Sequence, residues 1–302
     1  MNLQFFADGI VMGALIGLGA VGVTLSYSIL RFANFAHGEL IAWGAYATLV
    51  LMSAIIMALG GEAGTLGALS FGWPLLVAVV LAAVLVGGLA VGLDRVLFAR
   101  LRAKGNVIVM VMASFGASMA LRSSLEFIFT SSPRYFTREI QMALPVGFGI
   151  RLTPDQIFLV GLTAMIVIAM DRFLALSATG RAMRAVSENP ALARVAGVDV
   201  ERVIGATWII AGMLATASGV MLGITVQIRP YMGFDLLLPL FAAAILGGIG
   251  SMQGAILGGM IVGLSEAAAV QVVGANYRAA VAFIILIAAL LVKPTGIFGV
   301  RE

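Results

Sequence analysis

Long apolar runs recur along the whole chain and constrain its fold more than any other feature. The runs lie at residues 7–30, 40–59, 73–98, 107–129, 157–176, 204–226, 236–273 and 278–292. A helix needs about 20 apolar residues to cross the hydrocarbon layer of a membrane, and helices satisfy their own backbone hydrogen bonds there. We therefore predict an all-α polytopic membrane protein in which residues 1–302 form a single transmembrane domain.

The number of spans depends on the run at residues 236–273, which is too long for one crossing. The glycine-rich sequence at 247–251 interrupts it, so we expect two segments there, the first of them short. This predicts eight to nine transmembrane segments, including broken or short helices. The composition agrees, because only 11% of the residues are charged, whereas a soluble domain carries roughly 25%.

Several kinds of chemistry are poorly supported by the composition. The chain has no Cys and one His, so no disulfide or thiolate site is possible and we predict neither a catalytic nor a metal site. The phosphate-binding pattern G-x-x-x-x-G-K-[ST] is absent, so ATP hydrolysis of that type must take place in another chain. We attribute the net charge of +4 to basic loops and predict no nucleic-acid partner.

Residues 178–203 form a polar segment between two apolar runs. Asn189 followed by Pro190 is typical of a helix start, and Gly197 is a typical stop signal. The short helix between them would be amphipathic, and we interpret it as a docking element for another protein. The alternative is an ordinary basic loop that only sets the topology. The apolar face of the helix would comprise Leu192, Val195 and Ala196.

Basic residues predict the orientation of the spans. Twelve of the 18 Lys and Arg lie on one side if the segment 178–203 is cytoplasmic, which places the N-terminus outside. The longest outer loop is then 130–154, for which we expect a small hairpin. Residues 153–156 have the pattern of a capping box, which predicts a helix start there.

Two interruptions of the apolar pattern are candidate parts of a translocation path. The first contains Asn34, His37 and Glu39, and it is either a solvated turn or a broken helix inside the membrane. The second lies in the glycine-rich sequence 244–259, where the glycines permit either a break or close helix packing. We select both breaks for the path, with the candidate residues Asn34, His37, Glu39, Gly247, Gly248, Gly250 and Ser251.

Four motifs, taken in order, resemble those of one family. They are NFAHGEL at 34–40 followed by GAY at 44–46, GRAMRA at 180–185 with Asn189, Ala193 and Gly197, the glycine-rich sequence 244–259, and KPTGIFG at 293–299. This arrangement is similar to that of the branched-chain amino acid permeases of ABC importers, of the type named for high-affinity leucine, isoleucine and valine systems. Relatives that carry urea or short amides tend to have Met where this chain has Phe35, which favours amino acids.

The resemblance implies a single transmembrane permease domain in the bacterial inner (plasma) membrane, in contact with lipid. Its partners would be a second, paralogous permease subunit, two cytoplasmic ABC ATPase subunits and a periplasmic amino-acid-binding protein. No cofactor would bind this chain, and ATP and Mg would bind the partner subunits. The ATPase-coupling residues implied by the resemblance are Gly180, Arg181, Arg184, Ala185, Glu188, Asn189, Leu192, Ala193, Val195 and Gly197.

Three alternatives remain at this point. The chain could be an ABC permease for urea or short amides. It could instead be a proton-coupled secondary transporter that uses Glu39, His37 or Glu266. A membrane-embedded enzyme is the least favoured, because the chain contains so few candidate catalytic groups.

Overall fold

The computed structural model describes residues 3–61, 64–137, 141–147, 149–293 and 295–299. Residues 138–140 and 148 of the predicted outer loop, and Pro294 of the fourth motif, lie outside that part. The helices are α1 (Gln4–Leu30), α2 (Ala36–Ala58), α3 (Trp73–Leu93), α4 (Ala99–Arg102), α5 (Val107–Phe129), α6 (Pro154–Leu176), α7 (Ala178–Glu188), α8 (Pro190–Val195), α9 (Val200–Thr225), α10 (Met232–Gly247), α11 (Met252–Val273) and α12 (Arg278–Val292). A π-helical segment (Asp94–Phe98) joins α3 to α4, and a 3-10 turn (Ala275–Tyr277) precedes α12.

The predicted membrane architecture is confirmed. Among the described residues, seven helical segments are long and apolar enough to cross a membrane, with α3 and α4 counted as one. Two shorter apolar helices, α10 and α12, bring the total to nine. The run at 236–273 is interrupted as expected, because α10 ends at Gly247 and α11 begins at Met252. The protein is therefore an all-α integral membrane protein.

Helix α1 forms the centre of the bundle and packs mainly against α11. Small residues permit this contact, since a Cβ atom added at Gly13 would overlap Met260, and one added at Gly259 or Gly263 would overlap the backbone of α1. Glycines four residues apart lie on one helix face and allow two backbones to approach closely. The small-residue interpretation of the glycine-rich segment therefore holds for this part of α11.

Helix α6 connects the two ends of the bundle. Before it, strands β1 (Leu144–Gly147) and β2 (Ile150–Leu152) form an antiparallel hairpin, which confirms the predicted hairpin. The capping box is also present, because the backbone N–H of Gln156 donates to Oγ1 of Thr153 and the Gln156 side chain accepts in return. After α6 come α7 and α8. We call the two ends of the bundle the hairpin end and the α8 end.

Candidate functional site

Helix α7 is built from the GRAMRA motif and lies at the end of α6. The Oγ atom of Ser177 accepts a hydrogen bond from the backbone N–H of Gly180 at 2.9 Å and so begins the helix. The side chains of Met183 and Val186 are buried. The two arginines of the motif donate to the last carbonyl groups of α6, Arg181 to Leu176 and Arg184 to Leu174. These carbonyls have no partner within α6, so the arginines stabilise the junction between the two helices.

Helix α8 is capped at both ends, as the sequence predicts. The Oδ1 atom of Asn189 accepts hydrogen bonds from the backbone N–H groups of residues 191 and 192, both at 3.0 Å. At the other end, Gly197 has a φ of 86°, and its N–H and that of Val198 donate to the carbonyls of Arg194 and Ala193. This pattern is a Schellman motif. The helix is short, but its termini are satisfied.

Helix α8 exposes two aliphatic side chains, beside the exposed Arg194. Ala193 faces the bundle and is buried, whereas 65% of Leu192 and 86% of Val195 is exposed. A capped helix that presents two aliphatic side chains at one end of the molecule has the form of a protein-docking element. Of the other residues predicted for coupling, Gly180 is buried, Ala185 is half-buried, and Arg181, Arg184, Glu188, Asn189 and Gly197 are exposed.

The first predicted break is a non-helical segment between α1 and α2 that runs into the bundle. Arg31 is exposed at the α8 end and donates to the carbonyl of Ser187. Asn34, His37 and Glu39, in contrast, are all buried. The solvated-turn interpretation therefore does not describe these three residues. Asn34 instead accepts, through Oδ1, a hydrogen bond at 3.1 Å from the N–H of Ala36, the first residue of α2.

Glu39 forms a buried ion pair that the sequence interpretation missed. Its Oε1 atom accepts from Nη2 of Arg122 at 2.7 Å, from Nε of Arg122 at 3.1 Å and from Oγ of Ser118 at 3.1 Å. The guanidinium also lies over the ring of Phe234, 4.2 Å from its centroid. The pair therefore connects α2, α5 and α10. Ser118 and Arg122 are polar residues four positions apart in an apolar run. This spacing puts both side chains on one face of a helix and is the sequence signal for the pair.

His37 and Glu39 do not form a direct relay. Within the described residues, no hydrogen bond joins the imidazole to the carboxylate, and Arg122 and Ser118 occupy Oε1 of Glu39. The imidazole is fully buried against α1, where a Cβ atom added at Gly22 would overlap the ring. The arrangement is that of a packed helix crossing.

The second predicted break is a tight turn at the α8 end. Gly248 has a φ of 102°, and Oγ of Ser251 accepts from the N–H of Gly254 at 3.0 Å to begin α11. The chain near the C-terminus closes over this turn, because the N–H groups of Ile297 and Phe298 donate to the carbonyls of residues 246 and 247 at 2.8 and 2.9 Å. Gly247 packs against the backbone of α11, and Gly250 has a φ of 95°. No hydrogen bond among the described residues links this turn to the Asn34–Glu39 segment.

Two cavities flank these elements. A cavity of about 610 Å³ at the α8 end is lined by the end of α1, by α7 and by the turn at 249–250. A second cavity of about 740 Å³ lies beside α10 toward the hairpin end, and its walls include Phe35, Phe115 and Glu266. The sequence interpretation mentioned Phe35 and Glu266 separately, without a reason to place them together.

Comparison with known proteins assigns the family. Residues 5–290 match the family described as "Branched-chain amino acid transport system / permease component". The chain is 32% identical to the high-affinity branched-chain amino acid transport system permease protein LivH of Escherichia coli, over 99% of this chain and 96% of that protein. It is 31% identical to the corresponding protein BraD of Pseudomonas aeruginosa, with the same coverage. Among solved structures, PsaBC from Streptococcus pneumoniae in complex with Fab matches with a TM-score of 0.48 and 15% identity, over 98% of this chain and 96% of that one. This chain belongs to the family of permease components of branched-chain amino acid transport systems.

Proposed function

We propose that this chain is the permease subunit of an ABC importer that carries branched-chain amino acids across the bacterial inner membrane. ATP hydrolysis in partner subunits would drive the transport. Family membership supports the transport function, and full-length similarity to permeases named for branched-chain amino acids supports the substrate class. Urea and short amides are less favoured, because the named relatives are amino acid permeases.

The observation that carries the coupling mechanism is the exposed apolar face of α8. Leu192 and Val195 are exposed on a helix that is capped at both ends. A chain without a phosphate-binding loop must receive ATP-driven work from outside, and α8 is suited to that contact. The apolar side of α7 is buried, and α7 packs on α6 and α9. A displacement of α8 would therefore be transmitted to two long helices.

The remaining partners follow from the same proposal. The assembly would contain a second permease subunit, two ATPase subunits that bind ATP and Mg, and an external amino-acid-binding protein. The excess of Lys and Arg in the loops assigned to the α8 end supports a cytoplasmic position for α8. The binding protein would then approach the hairpin end.

The test is ATP-driven uptake of labelled leucine by vesicles that contain the complete importer. The double variant Leu192→Asp/Val195→Asp should abolish uptake and co-purification of the ATPase subunits, because it places two charges on the docking face. Membrane insertion should be unchanged, since both side chains are exposed in this chain. The conservative variant Leu192→Met/Val195→Ile is the matched control and should retain both activities. Normal uptake by the Asp variant would remove the proposed role of α8.

A further inference from the structure

The cavity beside α10 has features that the coupling mechanism does not use. Its volume of about 740 Å³ falls in the range of small-molecule sites, which runs from about 300 to 1,000 Å³. It is lined by residues of α1, α5, α9, α10 and α11, by Phe35 just before α2, and by the segments before α10 and at the start of α12. The segment before α10 follows the end of α9, and the other segment joins α11 to α12. Both lie at the hairpin end, so the cavity lies on that side of the bundle.

Glu266 of α11 is a buried acid on the wall of this cavity. Only 4% of the residue is exposed, and within the described part of the chain its Oε1 atom has no hydrogen-bond partner. Acidic side chains within membrane spans are costly and usually pair with another group. Glu39, in α2, illustrates the paired case, because Arg122 and Ser118 donate to its Oε1 atom, although its Oε2 atom has no hydrogen-bond partner among the described residues. Glu266 has no ion-pair partner within 4.0 Å among the described residues, and a ligand could supply a hydrogen-bond donor to its Oε1 atom.

A cationic group faces the same cavity. Arg278 lies at the first position of α12 and is exposed, and in the described structure it forms no ion pair with Glu266. The other arginine of the cavity, Arg229, already has Asp235 as a counter-charge at 4.0 Å. The cavity therefore presents one buried carboxylate and one guanidinium that are not paired with each other.

The rest of the wall is mainly aromatic and aliphatic. The ring of Phe35 lies 6.1 Å from that of Phe115 and 5.5 Å from that of Phe241, measured between centroids. These three rings and the apolar residues of α10 line the cavity together. They form a surface that would favour an aliphatic side chain over a polar one.

We propose that this cavity binds an aliphatic amino acid as a zwitterion, with its ammonium group on Glu266 and its carboxylate on Arg278. The aliphatic side chain would contact the apolar wall. Each charge of the ligand would then meet an opposite charge of the protein, and the buried Oε1 atom of Glu266 would gain a hydrogen-bond donor. This inference rests on the proposed function and assigns the amino acid a receiving site within the permease.

The experiment measures equilibrium binding to the purified importer, without its external binding protein, using three probes. L-leucine has both charges, 4-methylpentanoate lacks the ammonium group, and isopentylamine lacks the carboxylate. Glu266→Gln should weaken leucine binding by about 10-fold or more, as expected for loss of a charged hydrogen bond, and leave 4-methylpentanoate unaffected. Arg278→Gln should weaken leucine and leave isopentylamine unaffected. Asp171→Asn, in α6 and outside the cavity wall, is the matched control and should change nothing.

The pattern across probes separates recognition of charge from a general loss of packing. If Glu266→Gln does not assemble, Glu266→Asp retains the charge and should keep measurable preference for leucine over 4-methylpentanoate. Equal weakening of all three probes, or no leucine binding by the unmodified importer, would overturn the site. ATP-driven leucine uptake by the complete system is measured in parallel. A complete, unmodified system that shows no leucine uptake would instead overturn the proposed function. Normal uptake together with unchanged probe selectivity in the Glu266→Gln variant would overturn the site alone.

Discussion

Removing the partner of Glu39 is the most direct test of how the bundle is held together. Glu39 is fully buried, and Arg122 is largely buried with 14% of its side chain exposed. The variant Arg122→Met keeps an apolar side chain of similar length against Phe234 but leaves the carboxylate with Ser118 alone. We expect a loss of about 3–5 kcal/mol in the free energy of unfolding, the cost of stranding one member of a buried ion pair.

The magnitude follows from the geometry of the pair. Arg122 donates two hydrogen bonds to the same carboxylate oxygen, at 2.7 and 3.1 Å, and each hydrogen bond to a charged group contributes roughly 1.5–3 kcal/mol. The double variant Glu39→Gln/Arg122→Met removes both charges, so its cost should be much smaller than the sum of the two single losses. The coupling free energy should be about 3 kcal/mol, the upper end of the range for residues in one salt-bridge network.

The assay is a double-mutant cycle on unfolding of the purified protein in mixed micelles. Arg229 and Asp235 supply the matched control, because their N–O distance is 4.0 Å and both side chains are substantially exposed. Exposed pairs contribute about 1 kcal/mol or less, so that cycle should show little coupling. Additive single losses at Glu39 and Arg122, or a cost for Arg122→Met below about 1 kcal/mol, would refute the reasoning.

Two further predictions concern helix packing and capping. Gly259→Ala places a Cβ atom against the backbone of Gly17 and should lower the free energy of unfolding by about 1–3 kcal/mol. The control Gly116→Ala has open space around it and should not destabilise the protein, with both measured by the same unfolding assay. Asn189→Ala removes the cap of α8 and should cost about 1 kcal/mol, seen as faster amide hydrogen exchange at residues 191 and 192. Unchanged exchange there would show that the cap does not stabilise α8.

Features that depend on neighbouring residues could be predicted from the sequence. The spans follow from the length and hydropathy of each run, which is why the nine apolar helices found in the described part of the chain lie within the predicted range. The ends of α8 follow from Asn189 and Gly197, because capping involves groups only a few residues apart. The capping box at 153–156 follows for the same reason. The assignments of the coupling surface and of the translocation path remain predictions.

The sequence by itself determined which segments enter the membrane and where the short polar helix begins and ends. Both depend on neighbouring residues, through the free energy of transfer into the membrane and through capping hydrogen bonds. Only the tertiary structure decided what the buried polar groups contact. Arg122 is 83 residues from Glu39, and no local pattern selects it as the partner. The same holds for Phe35 and Glu266, which line one cavity although about three quarters of the chain separates them. Contacts of this kind depend on how the spans pack, and hydropathy does not specify that packing.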